Sequence, residues 1–141
     1  MHLTYCSIRD HPDYWKWMVD QTGIGWCANS QGFVAIDADG TIMAGAVFDE
    51  WTKTSCCAHY AVANPMVLRH GYLQNAFTYV FEKCDRLMII GKTASDLPKA
   101  LRFNKHLGFT EVCRITDAFD TGVDLVLQQM RREDCRWIRR H

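Results

Sequence analysis

The chain has 141 residues, of which 48% are hydrophobic and 23% are charged, a composition typical of one folded soluble domain. Its 16 basic and 16 acidic residues give a formal net charge of zero, which argues against a general nucleic-acid-binding protein, since such proteins carry a basic excess. No apolar run is long enough to span a membrane, and the N-terminus lacks the basic start and apolar core of a secretory signal. We therefore expect a single domain over residues 1–141, with no nucleic acid and no membrane among its partners.

The seven cysteines form no Cys-x-x-Cys pair, and their number is odd. Without a secretory signal, a reduced chain in the cytoplasm is the simplest interpretation, with most cysteines acting as small buried hydrophobic residues. Cys56 and Cys57 are adjacent in a predicted strand and point to opposite faces, so they cannot chelate one ion together. The spacing of the cysteines and histidines indicates no metal site.

The first half of the chain predicts one helix and four strands. Residues 2–8 alternate as a strand, and Asp10 with Pro12 predicts a helix start. Gly23 and Gly25 end this helix, and Trp26 and Cys27 lie in the loop that follows. An Asp-Gly hairpin turn at 37–40 connects two strands, and a further strand completes an antiparallel meander. The predicted meander strands are 32–37, 41–48 and 52–63.

After Gly71 the apolar spacing changes to that of a helix, which ends near Cys84. A short apolar strand at 86–91 is of the kind buried inside a sheet, and it runs parallel to the strand before the helix because a helix connects them. A second helix at 98–107 has Ser95 or Asp96 as its candidate N-cap and ends at Gly108. Two last strands, at 109–115 and 123–130, are followed by a basic tail that we interpret as a solvated helical turn. The element order predicts an α+β fold with a mixed sheet.

Residues 59–75 lead from a buried strand, through Pro65 and a short loop, into the first of these two helices. Unpaired N–H groups at a helix start, together with the helix dipole, form an anion site. Gly71 lets a ligand approach the backbone closely, and Arg69 and His70 lie beside it. Two interpretations follow, a phosphate-binding loop and an ordinary strand-to-helix connection with a surface Arg and His. From this stretch alone the ordinary connection is favoured.

Two segments carry a resemblance to a known family. The segment at 62–73, VANPMVLRHGYL, is similar to a fourth strand and pyrophosphate loop that usually reads R/Q-x-x-G-x-G/A. The segment at 100–109, ALRFNKHLGF, is similar to a late helix that commonly reads A-x-x-[F/L]-Y-x-x-x-G-F, and it is the more specific match. Both patterns belong to the GNAT superfamily of acyl-CoA N-acyltransferases, and the element order of the whole chain fits that fold. The resemblance implies a mostly antiparallel, twisted sheet with flanking helices, splayed between its fourth and fifth strands.

The resemblance also implies acetyl-CoA as a co-substrate, lying in the gap between those two strands. Its pantetheine arm would pair with the backbone of the fourth strand, at Ala61, Val62 and Ala63. Its pyrophosphate would be held by backbone N–H groups at the helix start, from Arg69, His70, Gly71, Tyr72 and Leu73. Asn104 would contact the pantetheine or the sulfur.

The implied reaction is direct attack on the thioester by a primary amine of a small molecule or a protein. His59, on the fourth strand, is the first candidate for the base that removes the amine proton. Glu50 and Asp49, at the end of the third strand, are further candidates that would act through a water, although solvated turn carboxylates are the favoured interpretation for both. The alternative for His59 is a packed or surface histidine. Asn104 stands where the family has a tyrosine acid, and it can hydrogen-bond the sulfur without donating a proton to it. A homodimer through the last strands, around 123–130, is also implied.

Three residues depart from the family pattern. Leu68 stands at the R/Q position, Leu73 at the second small position of the loop, and Asn104 at the tyrosine position. They favour an alternative function, in which a catalytically inactive protein of the same fold binds a partner protein. The discriminating feature is whether Leu73 leaves the helix start open.

Overall fold

The computed structural model describes residues 2–25 and 28–138, so the loop predicted at Trp26 and Cys27 lies outside the described residues. Within them, seven strands form one sheet in the order β1-β2-β3-β4-β5-β7-β6. All neighbouring strands are antiparallel except β4 and β5, which are parallel. The strands are β1 (Thr4–Ser7), β2 (Gln31–Ile36), β3 (Ile42–Asp49), β4 (Ser55–Val62), β5 (Met88–Ala94), β6 (Thr110–Asp120) and β7 (Val123–Arg131). The predicted α+β class with a mixed, mostly antiparallel sheet is confirmed.

Three α-helices pack on the sheet. They are α1 (Pro12–Thr22), α2 (Tyr72–Thr78) and α3 (Pro98–Leu107). A π-helical turn, Tyr79–Lys83, continues α2, and short 3-10 turns occupy Pro65–Arg69 and Arg132–Asp134. None of the helices in the described part of the chain is long and apolar enough to cross a membrane.

The two predicted helix caps are wrong. The N-cap of α1 is His11, whose Nδ1 accepts the Asp13 N–H, while the Asp10 carboxylate accepts the Ser7 N–H instead. The N-cap position of α3 is Leu97, which makes no side-chain cap. Because β5 continues to Ala94, Ser95 still lies beside β7, where its hydroxyl accepts the N–H of Asp124.

The two faces of the sheet carry different helices. On one face, Phe48 and Ala58 pack in the main core with side chains from α2 and α3, including Phe77 and Leu107. On the opposite face, Met18 of α1 packs with Val34, Val47 and Ala61. Gly45 on β3 permits this close approach, because a Cβ there would lie 2.4 Å from Met18 Sδ and 3.3 Å from the Trp17 ring. The sheet thus has an α2/α3 face and an α1 face.

β4 and β5 pair only where they begin. Their register joins Ser55 to Met88, Cys56 to Ile89 and Cys57 to Ile90. Beyond Cys57 and Ile90, β4 continues to Val62 and β5 to Ala94 without pairing to each other. The rest of β5 stays paired to β7, so the two strands diverge and leave a gap. The predicted splay between the fourth and fifth strands is confirmed.

β7 lies inside the sheet, between β5 and β6. Its backbone groups are used on both sides, so a dimer through 123–130 would have to form through side chains and not by pairing along a strand edge. The edge strands of the sheet are β1 and β6, and all eleven residues of β6 are exposed.

Candidate active site

The backbone of β4 presents alternate residues to the gap. The Ala63 N–H donates to the Met43 carbonyl at 2.9 Å, just beyond the pair formed by Val62 and Ala44. In an antiparallel pair, residues that bond to the neighbouring strand alternate with residues whose N–H and C=O groups point away from it. Ala61 and Ala63 therefore direct their backbone groups to β3, whereas Tyr60 and Val62 direct theirs to the gap. Of the three predicted pantetheine-binding residues, Val62 is the one with backbone groups available there.

Tyr60 adds an unpartnered hydroxyl to this part of β4. Its ring lies on the α2/α3 face, with the Phe77 and Phe109 rings 6.0 and 6.5 Å away. Its hydroxyl is buried without a hydrogen-bond partner within the described chain, and burial raises its pKa well above the ordinary value. Buried hydroxyls are nearly always hydrogen-bonded, so this one needs explanation. Free backbone groups and an orphaned hydroxyl fit a ligand carrying amides and carbonyls, as pantetheine does.

The helix start next to the gap has no side-chain cap. Gly71 is the N-cap of α2 with φ 89°, a left-handed conformation that favours glycine, and no side chain caps the first turn. Arg69 and His70 immediately precede it and are exposed. The His70 N–H already donates to the Val67 carbonyl at 3.0 Å, and the His70 carbonyl accepts the Tyr5 hydroxyl at 3.4 Å. Uncapped N–H groups beside exposed basic side chains suit an anion, and pyrophosphate binding here stays a prediction.

Leu73 does not obstruct this helix start with its side chain. Leu73 is 3% exposed and belongs to the main core, and Tyr72 is fully buried with its hydroxyl donating to the Gly45 carbonyl at 2.5 Å. Both side chains point into the molecule. Their predicted roles therefore rest on their backbone N–H groups alone.

His59 lies on the α1 face of β4, at the edge of the gap. Its Nε2 is 3.0 Å from both carboxylate oxygens of Asp49, the last residue of β3. Register explains this contact, because Asp49 pairs with Cys57, and His59 follows two residues later on the same face. Asp49 is 6% exposed, and the His59 side chain is 25% exposed. The pair thus combines a buried carboxylate with a partly accessible imidazole.

A second polar pair lies beside this one. The carboxylate of Glu50 accepts a hydrogen bond from Lys92 Nζ at 2.8 Å, which joins the end of β3 to β5. Hydrogen bonds from Cys57 and then from Lys92 lower the pKa of Glu50, and the bond to Glu50 raises the pKa of Lys92. Glu50 adopts φ 49°, which is uncommon for a non-glycine residue. No hydrogen bond to His59 is among its contacts, so the base role predicted for Glu50 stays untested.

Cys57 lies under both carboxylates. Ligand atoms of Asp49, Glu50 and Cys57 lie within 4.8 Å of one another. Cys57 is 4% exposed, and burial followed by its hydrogen bond to Glu50 raises the pKa of the thiol to about 12. A thiol that stays protonated at neutral pH is a poor nucleophile and a poor metal ligand. The cluster therefore favours direct chemistry at His59 over an acyl-cysteine intermediate.

Asn104 uses its amide donors inside the protein. From α3, its Nδ2 donates to Gln128 Oε1 at 2.9 Å and to Thr93 Oγ1 at 3.1 Å. Because both donors have partners, the side chain offers its Oδ1 as an acceptor rather than a hydrogen bond to a thiolate. Asn104 is therefore better suited to contact a pantetheine amide than a sulfur anion.

Sequence reasoning identified His59, Asp49 and Glu50 as candidate bases, but it paired neither Asp49 with His59 nor Glu50 with Lys92. Asp49 was placed in the turn at the end of the third strand, and Lys92 was placed beyond the end of β5. One signal was available, since each is a charged residue directly after an apolar run. Without the register of β3 on β4, that signal could not pair Asp49 with His59.

The sequence matches no protein-family model and no curated protein sequence. Similar folds occur among solved structures. Mutant forms of the spermidine/spermine N-acetyltransferase SpeG from Vibrio cholerae match 94% of this chain and 96% of theirs, with 13% identity and a TM-score of 0.76. A dodecameric structure of spermidine N-acetyltransferase from the same organism matches 93% of this chain and 94% of its own, with 15% identity and a TM-score of 0.74. At such identities the similarity shows the fold, and this chain has the fold of the GNAT N-acyltransferases.

Proposed function

We propose that the chain is an N-acetyltransferase that moves the acetyl group from acetyl-CoA to a primary amine by direct attack. The observation that carries this proposal is the gap between β4 and β5, with free backbone groups on β4 and the His59–Asp49 pair at its edge. The fold shared with spermidine N-acetyltransferases supports it.

In this proposal the pantetheine arm extends along β4 as an added strand, bonded to the backbone of Val62 and Tyr60. Ala61 and Ala63 line its path with small side chains. Asn104 Oδ1 accepts a hydrogen bond from a pantetheine amide. The pyrophosphate binds the backbone N–H groups at the start of α2, contributed by Gly71, Tyr72 and Leu73, with the side chains of Arg69 and His70 beside it. The His70 N–H is excluded from this set because it donates to the Val67 carbonyl.

The chemical step includes one proton transfer, from the amine to His59. The amine nitrogen bonds to the thioester carbon, His59 takes the proton released by the amine, and the carbon–sulfur bond breaks. A backbone N–H of β4 stabilises the oxyanion that forms in between. The thiolate leaves without a dedicated acid, because a thiol of pKa about 8.5 is a tolerable leaving group near neutral pH. If the amine binds in a second orientation, Glu50 would act as the base and take the amine proton through a water.

The acceptor in this proposal is a cationic amine. Asp49 and Glu50 place two carboxylates beside His59, and Lys92 is the one ammonium group that bonds to them in the described chain. An acceptor ammonium could take the place that Lys92 occupies at Glu50. Spermidine, the substrate in the names of the similar structures, belongs in any set of amines tested.

The alternative function is an inactive protein of the same fold that binds a partner. The feature that discriminates the two functions is whether Leu73 leaves the helix start open. The Leu73 side chain lies in the core and does not cover the helix start, which weakens the alternative. Leu68 and Asn104 remain departures from the pattern, but neither closes the gap.

We further propose that the chain self-associates along β6. This strand is the longer of the two edge strands of the sheet and exposes Val112, Ile115 and Phe119 by 57%, 45% and 56%. Long exposed edge strands with apolar residues are prone to pair with another chain. One of the similar structures is dodecameric, which is consistent with association in this fold.

The proposed activity is tested by incubating the protein with acetyl-CoA and a panel of amines that includes spermidine, with acetylated product detected by mass spectrometry. His59→Ala should lower kcat by about 10²- to 10⁴-fold, the usual contribution of a general base. His2→Ala, which removes an exposed histidine remote from the gap in sequence, is the matched control and should leave turnover unchanged. Absence of acetylated product with every amine would overturn the proposed function, and an unchanged rate in His59→Ala would remove His59 from it.

A further inference from the structure

The contact between His59 and Asp49 defines which atom of the imidazole is free to react. Both oxygens of Asp49 lie 3.0 Å from Nε2, and Nδ1 has no hydrogen-bond partner among residues 2–25 and 28–138. A carboxylate at this distance accepts a hydrogen bond from the nitrogen it faces, so the neutral ring carries its hydrogen on Nε2. The lone pair of the neutral imidazole is then on Nδ1.

The surrounding charges keep Asp49 available for this role. Lys92, the cation next to the cluster, donates its hydrogen bond to Glu50 rather than to Asp49. The Cys57 thiol is held protonated beside Glu50, so it supplies no second anion. Asp49 itself is 6% exposed, which limits screening of its charge by water. Its negative charge therefore acts mainly on the imidazole.

We propose that Asp49 is a positioning residue that holds His59 as the Nε2–H tautomer, so that Nδ1 is the nitrogen that accepts the amine proton. When His59 becomes an imidazolium, the same carboxylate stabilises the new positive charge. Asp49 does not touch the substrate and acts through His59. The catalytic part of this inference rests on the proposed acetyl transfer, whereas the hydrogen-bonded tautomer is a property of the free protein.

The first test needs neither a variant nor activity. In protein labelled with ¹⁵N at histidine, the His59 ring should show a proton on Nε2 that exchanges slowly with water, and an unprotonated Nδ1. His59→Gln identifies the signal by its loss. Asp49→Asn should abolish the slow exchange, because a neutral amide is a weaker acceptor than a carboxylate. A proton on Nδ1 in the wild-type protein would overturn the inference.

The second test distinguishes positioning from a structural role. Asp49→Asn should lower kcat by at least about tenfold, but by no more than His59→Ala lowers it. The KM of the variant should stay within about twofold of the wild-type value. In the His59→Ala background the same change should have no further effect, because residues that act as a unit are not additive. Asp85→Asn, an exposed carboxylate that pairs with Arg132, is the matched control and should change neither parameter.

The two proposals fail in different ways. If the tautomer is as expected but no amine is acetylated by any form of the protein, the positioning of His59 by Asp49 stands and the proposed activity falls. If the wild type is active but Asp49→Asn lowers kcat equally in the presence and absence of His59, the activity stands and the positioning role falls.

Discussion

At the residue scale, the α1 face beside the gap concentrates groups with perturbed ionisation. Glu50 is held charged by its two hydrogen bonds, while Cys57 beneath it is held neutral by burial. Opposite shifts in neighbouring groups are a feature of sites where one group must carry charge and another must not. Both groups lie beside the hydrogen-bonded pair of His59 and Asp49.

The protonated state of Cys57 can be tested through the pH dependence of the free energy of unfolding. Its folded pKa of about 12 lies above the unfolded value of about 8.5, so the folded state favours the protonated thiol. This contribution to the free energy of unfolding is complete below about pH 8.5 and is lost as the pH rises toward about 12. We expect urea titrations to show that Cys57→Ala loses less stability than wild type between about pH 7 and about pH 10.

Cys113→Ala serves as the control for this comparison, because Cys113 is exposed on β6. It should show the same dependence on pH as the wild-type protein. If Cys57→Ala also follows the wild-type curve, then the thiol of Cys57 is not held neutral by the fold.

The sequence predicted individual residues better than their relations. His59 was found because it alternates with Tyr60 on a recognisable strand, and Gly71 because a helix follows it. The link between His59 and Asp49 depends on antiparallel register, which is set by the packing of two strands and not by either strand alone. The engaged donors of Asn104 depend in the same way on where α3 lies over β5 and β7.

At the element scale, β4 and α2 act together. β4 leaves its partner β5 after Cys57, and the chain then turns through Pro65–Arg69 into α2. One strand thus presents free backbone groups, and the helix that follows presents its N-terminus. A ligand with an amide-bearing arm and a phosphate head matches both features.

A pair of charge reversals tests the phosphate part of this arrangement. Arg69→Glu introduces a negative charge just before α2, where it should repel the pyrophosphate and weaken acetyl-CoA binding. The expected rise in Kd by calorimetry is about tenfold, which corresponds to about 1.4 kcal/mol, and it should shrink at high salt.

Lys53→Glu is the matched control. It makes the same change of charge just before β4 begins, whereas Arg69 lies after β4 ends. Both side chains are exposed, so neither substitution should affect folding. Equal Kd values for Arg69→Glu and wild type would place the phosphates elsewhere, and equal losses in both variants would indicate only a long-range charge effect.

α3 was predicted at its observed bounds of Pro98 and Leu107. Strand ends were predicted less well, because β5 continues three residues past its predicted end to Ala94 and β6 continues five residues past its own to Asp120. Helix caps were not predicted correctly, because Ser95 and Asp10 found backbone partners in neighbouring strands and turns that no local pattern reveals. The 3-10 turn after Asn64 was likewise expected as an irregular loop, although Asn64 caps it through its side chain.

At the scale of the whole molecule, the two ends of the sheet differ in how far helices cover them. The first four strands are covered by helices on both faces, whereas β6 forms an exposed edge. An order in which β7 lies inside β6 could not be derived from the sequence, because both strands have similar length and a similar apolar content.

The exposed edge predicts the assembly state. We expect light scattering after size exclusion to give a mass that is a multiple of 16.3 kDa. Phe119→Lys should reduce it toward the monomer, because it places a charge on an apolar position of β6. Leu97→Lys is the control, since it removes a similarly exposed apolar side chain at the start of α3. It should leave the mass unchanged. A wild-type mass of 16.3 kDa at every concentration would contradict self-association.

Amide hydrogen exchange at Tyr60 and Val62 is the sharpest test of whether acetyl-CoA binds between β4 and β5. Their N–H groups face the gap, whereas those of Ala61 and Ala63 are bonded to β3. Addition of acetyl-CoA should slow exchange at Tyr60 and Val62 and change it little at Ala61 and Ala63. Unchanged exchange at Tyr60 and Val62, at a concentration where calorimetry shows binding, would contradict the account.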